Sequence, residues 1–150
     1  MNDHLIVSGD LFASDMETYV NAVNCRGVMG AGVAKIFKQR YPEMFADYQK
    51  RCQDRTVKLG EPYLWDDGSS PKVLNFPTKD DWRDSSLVEP ICQGLDYLVA
   101  HYQEWGITSI ACPALGCGRG GLHWDVIRPI MIEKLSLLAI PVRIYRPLDS

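Results

Sequence analysis

The chain has 150 residues, 46% of them apolar and 23% charged, with a formal net charge of −3. This suits one domain built around one core, is too acidic for a general nucleic-acid coat, and includes no apolar run approaching the roughly 18 residues that signal a membrane helix. The five cysteines are an odd number with no CxxC pair, and the three histidines are scattered, so neither a disulfide framework nor a metal site is expected.

The first ten residues, MNDHLIVSGD, show neither a positive n-region nor a cleavage-like site. No signal peptide is therefore expected, and the cytoplasm is the default compartment. Charge is distributed unevenly. Residues 35–58 carry seven basic and three acidic side chains, +4 in that span against −7 elsewhere. Two readings are open for it: a solvated helix face, or a patch that attracts polyanions.

In chain order, HLIVS (residues 4–8) has the pattern of a short buried strand that Gly9-Asp10 ends, and YVNAV (19–23) that of a second. From Ala31, Val33, Ile36 and Phe37 recur at helical spacing with Lys35 and Lys38 outside. PEMFADYQKRC is a further helix, with Pro42 in its first turn. PYLWD and KVLNF flank a turn at 66–72 and form a hairpin. Ser86 to Glu89, SLVE, has the capping-box pattern, Pro90 falls in the first turn after it, and Ile91, Leu95, Leu98, Val99 and Tyr102 line one helix face. ITSIACP is a buried strand. A helix near residues 125–138 follows, with Pro129 in its first turn, and PVRIYR is the last strand. Strands alternating with helices imply an α/β layered domain with a mixed, largely parallel central sheet.

Ligands of such sheets bind beyond the carboxyl ends of the strands. Two segments at such ends are rich in glycine: NCRGVMGAG after the second strand, and PALGCGRGG after ITSIAC. A glycine loop that opens into a helix presents backbone N–H groups and the positive end of the dipole, which suits phosphate. Neither standard nucleotide pattern fits. GxxxxGK[ST] fails because Lys35 is followed by Ile36, and GxGxxG fails because Gly30-Ala31-Gly32-Val33-Ala34 runs into Lys35. A P-loop kinase and a Rossmann dehydrogenase are disfavoured. Two such loops at neighbouring strand ends would hold two phosphates, as in a diphosphate with a nucleoside at each end. Asp10 is suited either to an amino group such as that of adenine or to capping the next turn. The amide of Asn24 both donates to and accepts from sugar hydroxyls, whereas Asn21 belongs inside the strand.

GDLF, NAVNCRGVMGAGVAKIFKQRYPEMFADYQKRC, NFPTKDDWR and PALGCGRGGLHW, taken together and in this order, resemble a macrodomain. More narrowly, they resemble the branch that contains the DarG antitoxin macrodomain and the terminal ADP-ribose protein glycohydrolase. The match runs through nearly the whole chain, as one macrodomain over residues 1–150. The resemblance implies a three-layer α/β/α fold that holds ADP-ribose in a surface cleft, and hydrolysis of the bond joining ADP-ribose to a target. By position, it assigns Asp10 to adenine with Leu11 in support, and Asn24 to the distal ribose. Gly30, Ala31 and Gly32 would line the diphosphate from one side. Gly116, Cys117 and Gly118 would line it from the other, with Arg119 and Gly120 completing that loop. Lys79 matches the family's catalytic lysine, with Asn24 beside it. No cofactor, metal or membrane is implied.

One position departs from the pattern. The protein-directed member carries an aspartate in its second glycine loop, and the matching residue here is Gly120. The match is therefore nearer the DarG type, whose substrate is ADP-ribose on a thymine base of DNA and whose partner is a toxin ADP-ribosyltransferase. ADP-ribosylated protein is the alternative target, and a reader that binds ADP-ribose without cleaving it is the non-catalytic alternative. Cleavage at the distal ribose puts positive charge on the anomeric carbon. Lys79 would attack that carbon or the opened sugar's aldehyde, or stay charged and position the substrate for water. A lysine must lose its proton to attack; burial favours that loss, and the adjacent Asp80 and Asp81 oppose it. His123 is a further acid–base candidate, and Cys117 with His123 is a candidate cysteine-hydrolase pair, the thiol being the nucleophile. Trp82 and Trp124 would either pack in the core or flank the cleft and stack on a base.

Overall fold

The structure is a computed structural model, which describes residues 3–147. Six strands form one sheet: β1 (Ile6–Val7), β2 (Thr18–Val23), β3 (Tyr63–Trp65), β4 (Lys72–Pro77), β5 (Ile110–Pro113) and β6 (Val142–Tyr145). Their order is β1-β6-β5-β2-β4-β3, and every neighbouring pair is parallel except β3–β4, the expected hairpin. Among the described residues, four α-helices accompany the sheet: α1 (Gly32–Arg40), α2 (Pro42–Gln53), α3 (Val88–His101) and α4 (Trp124–Leu135).

The sheet is buried on both faces, because alternate residues of the strands enter different cores. Tyr19, Val23, Val73 and Ala111 pack with Phe37, Met44 and Tyr48 of α1 and α2. Val20, Leu74, Phe76, Ile110, Cys112 and Ile144 pack with Ile91, Leu95, Leu98, Ile127 and Met131 of α3 and α4. The result is a three-layer α/β/α sandwich. Asn21 points into the α1/α2 core and donates to Asn75 Oδ1 at 3.1 Å, its register partner on β4. Asn75 in turn donates to the Tyr63 hydroxyl at 3.1 Å.

Three sequence expectations are corrected. Residues 4–8 are not one strand: a 3₁₀ turn occupies Asp3–Leu5, which leaves two residues to pair with β6. Ser86 does not cap α3. Leu87 is the N-cap and makes no side-chain cap bond. The Ser86 backbone N–H donates to the Gly120 carbonyl at 2.9 Å, and its hydroxyl lies against Thr78. Finally, α4 begins at Trp124, so Pro129 lies inside the helix rather than in its first turn.

Candidate active site

Strands β5, β2 and β4 are adjacent, and the chain leaves β2 and β5 toward opposite edges of the sheet. That is the switch point at which an α/β sheet opens a crevice. The loops after these three strands meet around a cleft of about 610 Å³. The first glycine loop contributes Asn24 and residues 28–34, the β4 end contributes Thr78, Lys79 and Trp82, and the second glycine loop contributes residues 116–120. Both glycine loops therefore face one space.

Each wall offers backbone donors. Helix α1 starts at Gly32 (φ +60°) behind an extended Ala31, with no side-chain cap and no acidic residue in its first turn. The N–H groups of Gly32, Val33 and Ala34 have no partner within the helix. Across the cleft, Gly116 (φ +74°) turns the chain sharply. A Cβ there would stand 2.6 Å from Leu122 Cδ1 and 2.7 Å from Ile91 Cδ1. Its carbonyl accepts from Leu122 N–H at 2.9 Å, which folds the loop back on itself. Gly118 and Arg119 then open a 3₁₀ turn, and their N–H groups have no partner inside it.

Asn24 is buried, and its amide organises the first loop. Nδ2 donates to Val28 O at 2.8 Å, while Oδ1 accepts from Arg26 N–H at 2.9 Å. The Tyr48 hydroxyl lies 2.7 Å from Asn24 O and 2.8 Å from Asn24 Oδ1. Tyr48 is completely buried, and that burial raises its pKa far above the usual phenol range, so it stays a donor. One N–H of the Asn24 amide remains to point at a ligand. Nothing local in the sequence marks Tyr48 for this task, since it reaches Asn24 from the middle of α2.

Lys79 lines the cleft at the end of β4. The two carboxylates that follow it in sequence are engaged by arginines. Arg26 Nη2 pairs with Asp80 at 2.9 Å, and Arg83 chelates Asp81 through Nε at 3.0 Å and Nη2 at 2.7 Å. The Arg83 side-chain and backbone donors, with Arg26 nearby, hold the Asp81 carboxyl well below the usual range. Among the described residues, no ion pair joins Lys79 to an acid. The cleft also contains Cys117, whose pKa is raised by burial.

Gly120 lies against Ser86: a Cβ at 120 would stand 2.5 Å from Ser86 Oγ. The place where the resemblance prompts a search for an aspartate is thus filled by a serine from the segment before α3.

Asp10 and Leu11 do not line the cleft. The Asp10 carboxylate accepts from Phe12 N–H at 3.0 Å and caps a 3₁₀ turn at Leu11–Ala13. Phe12 anchors that turn on Phe37 of α1, with ring centroids 4.7 Å apart. His123 is the N-cap of α4 and also lies outside the cleft lining. Trp124 packs against the α3/α4 core, whereas Trp82 is exposed on the cleft. Within the basic span, Arg51 pairs with Asp47 and Lys50 with Asp54, and Lys38 and Arg40 lie over the rings of Phe45 and Phe12. These are solvated helix faces with local partners.

Residues 20–131 match the model of the Macro domain family. The macrodomain of Mycobacterium tuberculosis DarG, a solved structure, is 42% identical; the match covers 95% of this chain and 97% of that one, with a TM-score of 0.90. Thermosipho africanus DarTG, solved in complex with ADP-ribose, is 40% identical, with a TM-score of 0.93 over 97% of this chain and 42% of that one. The Mycobacterium tuberculosis protein named DNA ADP-ribosyl glycohydrolase is 43% identical over 93% of this chain and 41% of its own length. The chain belongs to the macrodomain family, in the branch that holds the DarG macrodomains. It spans about two-fifths of the length of the curated DNA ADP-ribosyl glycohydrolases it matches.

Proposed function

We propose that the chain binds ADP-ribose in this cleft and hydrolyses the glycosidic bond that ties it to a nucleobase of DNA. The observation that carries the reading is the pair of facing N–H sets, from the start of α1 and from residues 116–119, with Lys79 in the same cleft. The N–H groups bind the diphosphate, the free N–H of Asn24 takes a hydroxyl of the distal ribose, and Lys79 meets its anomeric carbon. Asp10 and Leu11, on the β1 side, form the adenine end. The DarG relatives support the DNA target, and the Gly120–Ser86 contact supports it over protein esters, because it leaves no room for an acid at position 120. Such an enzyme works opposite an ADP-ribosyltransferase that makes its substrate.

Three lining side chains can ionise: Lys79, Cys117 and Arg119. A guanidinium is permanently charged, and the Cys117 thiol is pushed away from the thiolate by burial. Lys79 is left to act on the bond. Its amine attacks the anomeric carbon of the distal ribose, in the ring or as the aldehyde-level carbon of the open form. The bond to the base breaks and the base leaves with a proton; water then hydrolyses the new carbon–nitrogen bond, which returns the lysine and releases ADP-ribose.

The test is to incubate the chain side by side with ADP-ribosylated DNA and with glutamate-modified protein, and to measure free ADP-ribose. The reading predicts release from DNA at a rate well above that from protein. It also predicts that Lys79→Ala keeps ADP-ribose binding by calorimetry and loses release. Equal turnover by that variant removes Lys79 from the chemistry. A wild-type chain that binds ADP-ribose and releases none is a reader.

A further inference from the structure

Trp82 stands out among the large apolar side chains. It is 53% exposed although it lines the cleft beside Lys79. An exposed tryptophan forfeits the largest burial gain any side chain offers, so its placement requires a reason. The local backbone holds it out. Residues 81–84 form a self-bonded turn: Asp84 N–H donates to Asp81 O at 2.9 Å, Asp81 N–H to Asp84 Oδ2 at 3.3 Å, and Arg83 N–H to Asp81 Oδ1 at 3.0 Å. Trp82 sits at the apex of that turn. The Arg83 guanidinium, fixed by Asp81, lies 5.6 Å from the centre of its ring.

We infer that Trp82 is the stacking platform for the nucleobase that carries the ADP-ribose. The inference rests on the proposed placement of the distal ribose at Lys79. Given that placement, whatever is joined to the anomeric carbon leaves the cleft past Trp82, three residues on. An indole plane suits a base, because every base has a π-face. A glutamate ester presents none. A base inside a duplex cannot reach a plane at a cleft edge, so it must be unstacked first. The two arginines nearest that turn, Arg26 and Arg83, already face Asp80 and Asp81, so they add little attraction for a phosphate beside Trp82. Trp82 therefore sets the class of the leaving group and not which base it is.

The experiment compares wild type, Trp82→Ala and Trp82→Phe in two measurements, with thermal melts to confirm folding. One is the KM for release of ADP-ribose from a modified single-stranded oligonucleotide; the other is the Kd for free ADP-ribose by calorimetry. Loss of one stacked base is expected to raise the KM of Trp82→Ala by roughly five- to 150-fold, well beyond any change in Kd, and Trp82→Phe should recover most of it. A KM equal to wild type overturns the inference. So does a parallel rise in KM and Kd, which marks Trp82 as structural or as an ADP-ribose contact, and so does a phenylalanine variant no better than alanine. Wild type that releases nothing from the oligonucleotide fails at the first step. That result takes down the reading of a DNA-directed hydrolase, and this inference with it, before any variant is compared.

Discussion

Gly120 gives the sharpest test of how the cleft is built. Its backbone is one that any residue adopts, so the cost of substituting it comes from contact alone. A Cβ would meet Ser86 Oγ at 2.5 Å and Ser86 Cβ at 3.0 Å. The hydroxyl can rotate away but the Cβ cannot, and the Ser86 N–H bond to Gly120 O ties the two backbones together at 2.9 Å. Gly120→Ala is therefore an overpacking change, which costs about 1–3 kcal/mol. In a domain of this size each kcal/mol lowers the melting temperature by about 2–4 °C, so a fall of roughly 2–12 °C is expected by calorimetry. Gly120→Asp should fall further, because it adds a carboxylate to the same contact, and it should gain no activity on glutamate esters. Adding Ser86→Gly to the alanine variant removes both contacting atoms and should restore most of the loss. A Gly120→Ala protein that melts within a degree of wild type, or one that Ser86→Gly does not rescue, refutes the steric account.

Tyr48→Phe deletes the donor to Asn24 without touching the cleft. It should cost about 1–3 kcal/mol, the range for leaving a buried acceptor unpaired, and should also weaken ADP-ribose binding; a melt and a titration check both. Asp81→Asn tests the turn that carries Trp82. The folded carboxyl is held below its ordinary value by Arg83. Its stabilisation is therefore complete above about pH 4, the ordinary aspartate value, and lost as the pH falls through the folded one. The variant should melt below wild type at pH 7, with the gap narrowing towards pH 3. The thiol of Cys25, pushed up to about 12 by burial and then by Asp80, and that of Cys117, raised by burial, should both react with iodoacetamide at pH 8 more slowly than free cysteine, as read by mass spectrometry. A fast-reacting Cys117 would revive it as a nucleophile.

What was legible in the chain is what residue type declares locally. The two glycine loops show because only small residues let backbone N–H groups face a ligand, and both prove to border one cleft. The layer order follows from strands whose residues enter both cores, as Tyr19 and Val20 do. Long-range partners are not legible in this way. Ser86 has every local mark of a capping box, yet its N–H goes to Gly120, 34 residues away. Tyr48 resembles any core aromatic of an amphipathic helix until the fold brings Asn24 to it. Asp10 reads either as a cap or as an adenine contact; the fold shows its carboxylate capping the Leu11–Ala13 turn, and the adenine role belongs to the proposed function. Charge followed the same rule: Asp80 and Asp81 sit next to Lys79 in sequence, but their partners are Arg26 and Arg83.

The most direct test of the central claim is a crystal of this chain soaked with ADP-ribose. The account predicts the two phosphates between the N–H groups at 32–34 and those at 118–119, with the distal ribose against Asn24 and its anomeric carbon facing Lys79. Density for the nucleotide outside that cleft, or a nucleotide turned end for end so that adenine meets Lys79, would contradict it.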